Sequence, residues 1–391
     1  MLAMQDLHLT GKRVIIREDF NVPLFEGHIT NDTRIKAAIP TITAALHQGA
    51  AIILLSHLGR PHPGTVEPQL SLAPIANQLA KLLQKPVHFV PNWLDGFHVQ
   101  EGEIYLCENV RFLIGETTND DALAKKMASL GDIFVMDAFG SAHRAHASTH
   151  GIARFIPVAC AGPLLIQELA ALKAATHHAA TPLLAIIGGA KISSKLTLLT
   201  TLCQKFDYLI CGGGIANTLL AATQNNVGRS LYESNLLPAA QEILMLARQN
   251  DCEIPLPIDV VVADQVSNTA HIQIKPISAV THDDIILDIG PKTSNYYCDL
   301  IKQSRTIMWN GPVGVFEIEA FSHGTRSIAT AIATHDAYSI AGGGDTIAAL
   351  DKFGVYNTIS YVSTGGGAFL EYLEGKNLPA IEILNQRARE V

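Results

Sequence analysis

The chain of 391 residues has no excess of positive charge, no hydrophobic run long enough to span a bilayer and no cysteine pair at metal-ligand spacing. A formal net charge of −8 excludes a general nucleic-acid binder. Without a run of transmembrane length, no membrane partner is expected. The stretch from Met1 to Arg13 includes Asp6 and lacks an apolar core of signal-peptide length, so a cytoplasmic protein is expected and the Asn31-Asp32-Thr33 sequon carries no glycosylation meaning. The six cysteines (Cys107, Cys160, Cys203, Cys211, Cys252, Cys298) form no C-x-x-C, and most lie in apolar runs, as buried free thiols in a reducing compartment would. Low-complexity segments and short repeats are missing, and the strand–helix alternation is too irregular in length for a solenoid. No G-x-G-x-x-G stands after a strand with an acid about 20 residues on, which removes the case for a dinucleotide-dependent dehydrogenase.

What is present divides into two halves. Hydrophobic residues make up 48% and charged residues 16%, enough for sizeable cores at a length that favours two or three domains. In the first half, short apolar runs at 13–17, 51–55, 87–90, 104–107 and 133–136 alternate with helical stretches. One of these spans 119–130, with Asn119 as its cap and Gly131 as its stop. The alternation resumes after Gly162-Pro163, a helical stretch 164–176 and the polar segment 177–182, with strands at 183–187, 208–211, 260–262, 285–289, 306–309, 338–341 and 359–362. Two doubly wound, parallel-sheet, Rossmann-like domains joined by a hinge helix are expected, with ligands at the carboxyl ends of the strands. The expected boundaries are 1–162 for the first domain and 163–374 for the hinge helix and second domain, leaving a tail of about 375–391.

Each half carries its own chemistry at the strand ends. Gly212–Gly214, Gly342–Gly344 and Gly365–Gly367 follow strand-like runs and open into helices, and Gly188-Gly189-Ala190-Lys191 has the same layout. Helix starts offer free N–H groups and a positive dipole end, so these turns suit phosphates. Lys191 and Lys195 are four apart and would share a helix face over such a start; the competing reading is a tight turn with two surface lysines. Asp345 either caps the helix after Gly342–Gly344 or holds a nucleotide's Mg²⁺. Glu317, in the loop from Trp309, either accepts from ribose hydroxyls or is merely solvated. The first half instead carries Arg34, His57, Arg60, Arg111, His143, Arg144 and His146, local positive spots suited to a small, strongly acidic molecule. Zinc between His143 and His146 lacks a third ligand at usual spacing.

Taken together, Gly11-Lys12-Arg13-Val14, Asp19-Phe20-Asn21-Val22-Pro23 and the segments 31–35, 57–61, 108–112, 137–148, 188–195, 212–218, 288–293, 309–317, 342–346 and 363–368 resemble the phosphoglycerate kinase family over nearly the whole chain. The resemblance implies that Asp19, Phe20, Asn21, Arg34, His57, Leu58, Gly59, Arg60, Arg111, His143 and Arg144 hold 3-phosphoglycerate or 1,3-bisphosphoglycerate, with Arg34 bridging to the transferred group. It implies that Lys191, Lys195, Gly212, Gly213, Gly311, Pro312, Glu317, Gly343, Gly344, Asp345 and Thr346 bind ATP or ADP. Asp345 would hold Mg²⁺, while Arg34, Lys191, Gly343 and Gly366 would serve the transition state. A monomer is implied, with a tail that returns to the first domain. Glu18, Phe369 and Ala380 depart from the family pattern. Since the substrates are assigned to different domains, transfer implies closure about a hinge near 162–182. A non-catalytic nucleotide sensor remains the rival reading, and it leaves the Arg/His set unexplained.

Overall fold

Short apolar segments buried on both faces make the sheets. In the computed structural model, which describes residues Met1–Glu390, the chain forms two compact units. The first comprises Met1–Ala170 and the chain from Asn377 onward; the second is Ala171–Lys376.

In the first unit, β1 (Arg13–Arg17) is followed by a small hairpin, β2 (Leu24–Phe25) and β3 (His28–Ile29), and by α1 (Thr33–His47). Next come β4 (Ala51–Leu55), α2 (Ala73–Leu83), β5 (Val87–Val90), β6 (Ile104–Cys107), α3 (Asp121–Ala128), β7 (Ile133–Met136), α4 (Ile152–Phe155) and β8 (Val158–Ala161). The sheet order is β5-β6-β4-β1-β7-β8, all parallel. Arg17 lies opposite Leu55 of β4 and Met136 of β7, so the chain leaves three neighbouring strands at one level. The helix expected over 119–130 is shorter than its pattern. Asp120, not Asn119, caps it by accepting from Leu123 N at 2.8 Å. Asn119 takes φ 57°, a left-handed turn that asparagine tolerates.

The helix α5 (Pro163–Thr176) carries the chain from the first unit into the second. There follow β9 (Leu183–Gly189), α6 (Leu196–Cys203), β10 (Tyr208–Gly212), α7 (Gly213–Ala222), α8 (Leu237–Gln249), β11 (Asp259–Ala263), β12 (Ile272–Pro276), β13 (Ile285–Ile289) and α9 (Pro291–Gln303). Then come β14 (Thr306–Asn310), α10 (His323–Ala333), β15 (Tyr338–Gly342), α11 (Gly344–Lys352), β16 (Tyr361–Ser363) and α12 (Gly367–Leu373). The parallel order is β10-β9-β14-β15-β16. The segments 260–262 and 285–289 do not join that sheet. They form a separate antiparallel one, β12-β11-β13, because short links replace helical crossovers between them. Most of β12 is exposed, which is why its sequence carries no clear strand signal. The final helix, α13 (Pro379–Arg387), packs in the first unit, with Ala380 N donating to Ala142 O at 3.1 Å and Arg387 Nη2 to the carbonyls of Ile156 and Pro157 at 2.9 Å. No helix among the described residues is long and apolar enough to cross a membrane.

Close backbone packing explains several of the glycines. A Cβ on Gly188 would lie 1.9 Å from the Pro312 carbonyl oxygen, and one on Gly214 would lie 2.1 Å from that of Ala190. At Gly344 a Cβ would meet nothing within 4 Å. Gly188→Ala should therefore cost about 1–3 kcal/mol by overpacking, whereas Gly344→Ala should stay within about 0.5 kcal/mol of the parent. Urea unfolding followed by circular dichroism separates the two; equal midpoints would show that the 188–312 contact does not constrain the fold.

Candidate functional site

Four adjacent strands of the first unit deliver the arginine and histidine motifs to one edge. The chain leaves β1 into Glu18–Asn21, β4 into Ser56–Arg60, β6 into Glu108–Arg111 and β7 into Asp137–Arg144. Arg34, in the first turn of α1, donates through Nη1 to the Asn21 carbonyl at 2.8 Å and lies 3.3 Å from a carboxylate oxygen of Asp19. Asn21 Oδ1 accepts from Gly59 N at 2.9 Å, and Arg111 donates to the Gly59 carbonyl. Asn109 ties this edge together, donating to the carbonyls of Leu58 and Leu70 and accepting from the N–H of Leu58 and Arg111. Arg144 Nε donates to His143 Nε2 at 3.1 Å. Arg60 is exposed. Phe20 and Leu58 put their side chains into the apolar core, so the chain contributes backbone rather than side chain to the edge at these positions.

Sequence reasoning missed the group behind this edge. Arg17 is only 1% exposed. Its Nε donates to Ser148 Oγ at 3.0 Å, its Nη1 to the Glu18 carbonyl, and its Nη2 sits 3.2 Å from His57 Nδ1. Ser148 in turn donates to the buried carboxylate of Glu116 from both its hydroxyl, at 2.6 Å, and its N–H, at 2.9 Å. A guanidinium only donates, so His57 Nδ1 accepts and the ring proton resides on Nε2. Burial, then the charges of Arg17, Arg111, Arg144 and Arg34, hold the His57 pKa well below 6.5, so the ring is neutral. Burial and the neighbouring Arg144 and Arg17 bring Arg111 down to about 10. His146 falls to about 4, through burial and the same arginines. Burial is the largest cause of each depression, and the clustered arginine charges add to it, a charge excess that an anion would relieve. An arginine at the end of an otherwise apolar strand was the available signal for Arg17.

In the second unit the strands also end nearly level: Gly212 lies opposite Gly188, and Gly342 opposite Ser363. A cavity of about 680 Å³ opens there, and its walls include Gly213, Gly214, Asn217, Tyr232, Pro312, Val313, Glu317 and Asp345. Lys191 and Lys195 do not share a helix face. Lys191 is extended (φ −133°, ψ 124°), Ile192–Lys195 is a 3-10 turn, and α6 begins only at Leu196. The cause is tertiary: Glu233 accepts from Ser193 N at 2.8 Å and Ser193 Oγ at 2.7 Å, pinning the turn. Lys191 is exposed, whereas Lys195 is partly buried and donates to Asn310 Oδ1. Burial brings Lys195 down to about 8, against the opposing pull of Asp345 and Glu374. Asn310 was also missed; its Nδ2 donates to Gly342 O at 2.7 Å, joining the lysine to the glycine turn.

At the start of α11, Gly343 (φ 100°) occupies the cap position and no side chain caps the helix. Asp345 is therefore not the cap; it is exposed in the first turn and faces the cavity. Thr346 is buried, and its hydroxyl accepts from Gly311 N at 2.7 Å and donates to Gly342 O at 2.9 Å, so it holds the loop. Among the described residues no three carboxylate, histidine or cysteine groups cluster as a metal cage. One carboxylate beside a helix start fits Mg²⁺ that arrives with phosphate oxygens and water. Gly366 (φ 51°) precedes α12, and Phe369 packs its ring against Gly342.

The family model described as phosphoglycerate kinase matches residues 4–376. The phosphoglycerate kinase of Legionella pneumophila (strain Paris) is 57% identical over 391 residues, covering 100% of this chain and 99% of that protein. Among solved structures, the phosphoglycerate kinase from Coxiella burnetii is similar at 55% identity and a TM-score of 0.93, covering 100% of both chains. That from Pyrococcus horikoshii OT3 is similar at 29% identity and a TM-score of 0.86, again over 100% of both.

Glu18 stands behind the first-unit edge. Both of its carboxylate oxygens are buried without a hydrogen-bond partner, and burial together with the nearby Asp137 holds its pKa well above the carboxylate range, against the pull of Arg17. Asp137 is itself pushed up to about 6 by burial, although Thr41 and the N–H of Leu165 donate to it. A carboxyl whose folded pKa is raised contributes most below its unfolded value, near 4.5, and that contribution is lost as pH rises through the folded value. Glu18→Gln should thus melt higher than the parent at pH 8, by roughly 2–4 °C per kcal/mol relieved, with the gap closing towards pH 4. Calorimetry across that range tests it, and a constant gap would mean that Glu18 does not titrate between the two states.

Proposed function

The chain belongs to the phosphoglycerate kinase family, and on that premise we propose that it transfers a phosphoryl group reversibly between 1,3-bisphosphoglycerate and ADP, giving 3-phosphoglycerate and ATP. The observation that carries this reading is the surplus positive charge on the first unit, where Arg17, Arg34, Arg111 and Arg144 stand with neutral His57 at one sheet edge. The acid binds there, through Asp19, Asn21, Arg34, His57, Arg60, Arg111, His143 and Arg144. The neutral His57 offers its Nε2–H to an anionic oxygen without needing a proton from solvent. The nucleotide binds in the second-unit cavity, with Lys195 and the α11 start at the phosphates and Glu317 at the ribose.

In the direction of ATP formation, a β-phosphate oxygen of ADP forms a new P–O bond as the bond to the acyl oxygen breaks. The carboxylate leaves already ionised, and the attacking oxygen is ionised as well, so no general base is required. The residues instead position the reactants and neutralise charge on the transferred group. Arg34 bridges to that group, Lys191 and Lys195 steady the nucleotide oxygens, and the N–H groups near Gly343 and Gly366 donate to oxygens on which negative charge develops. Asp345 would hold Mg²⁺, which supplies further charge neutralisation when bound with the nucleotide. Thr346 acts indirectly, by fixing Gly311. We place the protein in the cytoplasm as a monomer, in line with its free cysteines.

A coupled assay of ATP formation from 1,3-bisphosphoglycerate and ADP tests the activity. Arg34→Ala should lower kcat by about 10²–10³ with an unchanged melting temperature; near-normal kcat in a folded variant would remove Arg34 from the mechanism.

Because the substrates are assigned to different units, transfer requires closure about the segment 162–182. Each ligand alone contacts one unit and gains little from the closed state, whereas both together favour it. Small-angle scattering should show a drop in radius of gyration only when 3-phosphoglycerate and Mg-nucleotide are both present. A radius constant across free, singly and doubly liganded samples would rule closure out.

A further inference from the structure

The loop that carries Glu317 is held at both ends of one helix. At the start of α11, Gly311 N donates to Thr346 Oγ1 at 2.7 Å. At its last residue, Lys352 Nζ donates to the Phe316 carbonyl at 2.6 Å and reaches the Glu317 carbonyl at 3.4 Å. The nine residues of α11 span about 12 Å at 1.5 Å per residue. Aromatic contact reinforces the second attachment: Phe316 meets Phe353 edge-on with centroids 6.5 Å apart, and Lys352 Nζ lies 5.9 Å from the Phe353 centroid. Glu319 is shared, 3.6 Å from Lys352 and 2.5 Å from Arg326.

A lysine in the last turn of a helix ordinarily sits in solvent and offsets the dipole of its own helix. Lys352 instead turns its ammonium onto two consecutive carbonyls of a neighbouring loop. The Glu317 carboxylate itself faces the cavity, is exposed and has no hydrogen bond to any described residue. The backbone beneath it is held by Val315 N on the Leu287 carbonyl at 2.8 Å and Ile318 N on the Val315 carbonyl at 3.1 Å, and Lys352 adds the one side-chain hold on the carbonyls of Phe316 and Glu317 among the described residues.

We propose that Lys352 is a positioning residue for nucleotide recognition: by clamping the carbonyls of Phe316 and Glu317 to the far end of α11, it sets the Glu317 carboxylate at a fixed reach from the phosphate end at Asp345 and Thr346. The helix then acts as a spacer between the ribose contact and the phosphate contact. A loop held in this way has less freedom to lose on binding. The inference rests on the reading of Glu317 as the acceptor for ribose hydroxyls.

The test compares dissociation constants for ADP and 2′,3′-dideoxy-ADP by calorimetric titration. Hydroxyl donation to a carboxylate should favour ADP by about tenfold or more in the parent. Glu317→Ala should abolish that preference; if it does not, the ribose reading itself fails. Given that result, Lys352→Met should reduce the preference to about threefold or less, Lys352→Arg should restore most of it, and the KM for 3-phosphoglycerate should not change in either. The double variant Glu317→Ala/Lys352→Met should lose no further preference beyond Glu317→Ala alone. A folded Lys352→Met protein that keeps the parent's full preference, while Glu317→Ala loses it, overturns the inference. Should Lys352→Met fail to fold, Lys352→Gln carries the same comparison and the same two outcomes.

Discussion

Parallel strands covered on both faces leave a protein one place for chemistry, the edge where the chains emerge, and register decides what meets there. In the first unit, Arg17, Leu55 and Met136 end level, so Glu18, Ser56 and Asp137 begin side by side. In the second, Gly212 and Gly188, and Gly342 and Ser363, do the same. A shift of one residue in any of these pairings would turn every following side chain to the opposite face. The positive edge of the first unit and the cavity of the second both depend on that alignment.

The two edges use opposite means. The first concentrates guanidinium groups and leaves them partly unneutralised. Arg17 is the costliest of these, because a buried cation needs partners on every side, and it finds them in Ser148, the Glu18 carbonyl and His57. Burial keeps His57 neutral and the charge of Arg17 adds to it, while the Arg17 contact fixes the ring's tautomer. The second edge relies on backbone. Gly188, Gly212 and Gly214 let strand ends, loop and helix start approach more closely than a Cβ permits. Packing and anion binding are therefore not alternatives for these turns: the packing is what brings free N–H groups to a single cavity.

The acidic group at 18 shows how a departure from a family pattern is tolerated. Its carboxyl lies next to Asp19 in the chain yet is buried without a partner, which is compatible with the fold so long as it keeps its proton. Asp137, also pushed upward, links that pocket to the start of α5 through the N–H of Leu165. Of these two reluctant acids, Asp137 is the one that touches the helix leading into the second unit.

The sequence by itself determined the parallel architecture, the positions of most strands, the glycine turns and the cationic motifs, because each is a local pattern of apolar runs, turn residues and charge. It did not determine partners. Arg17, Asn109, Glu116 and Asn310 are single polar residues in apolar or loop segments, and only contacts from distant parts of the chain give them roles. The 3-10 turn that separates Lys191 from Lys195 is imposed by Glu233, 40 residues on from Ser193. The antiparallel sheet of β11, β12 and β13 was hidden for the same kind of reason: its edge strand has no buried face to write a pattern, and its pairing is decided by links whose course the local sequence does not encode. Local propensity selects elements; which buried charge meets which acceptor is settled only when the sheets close and desolvation forces every polar group to find a partner.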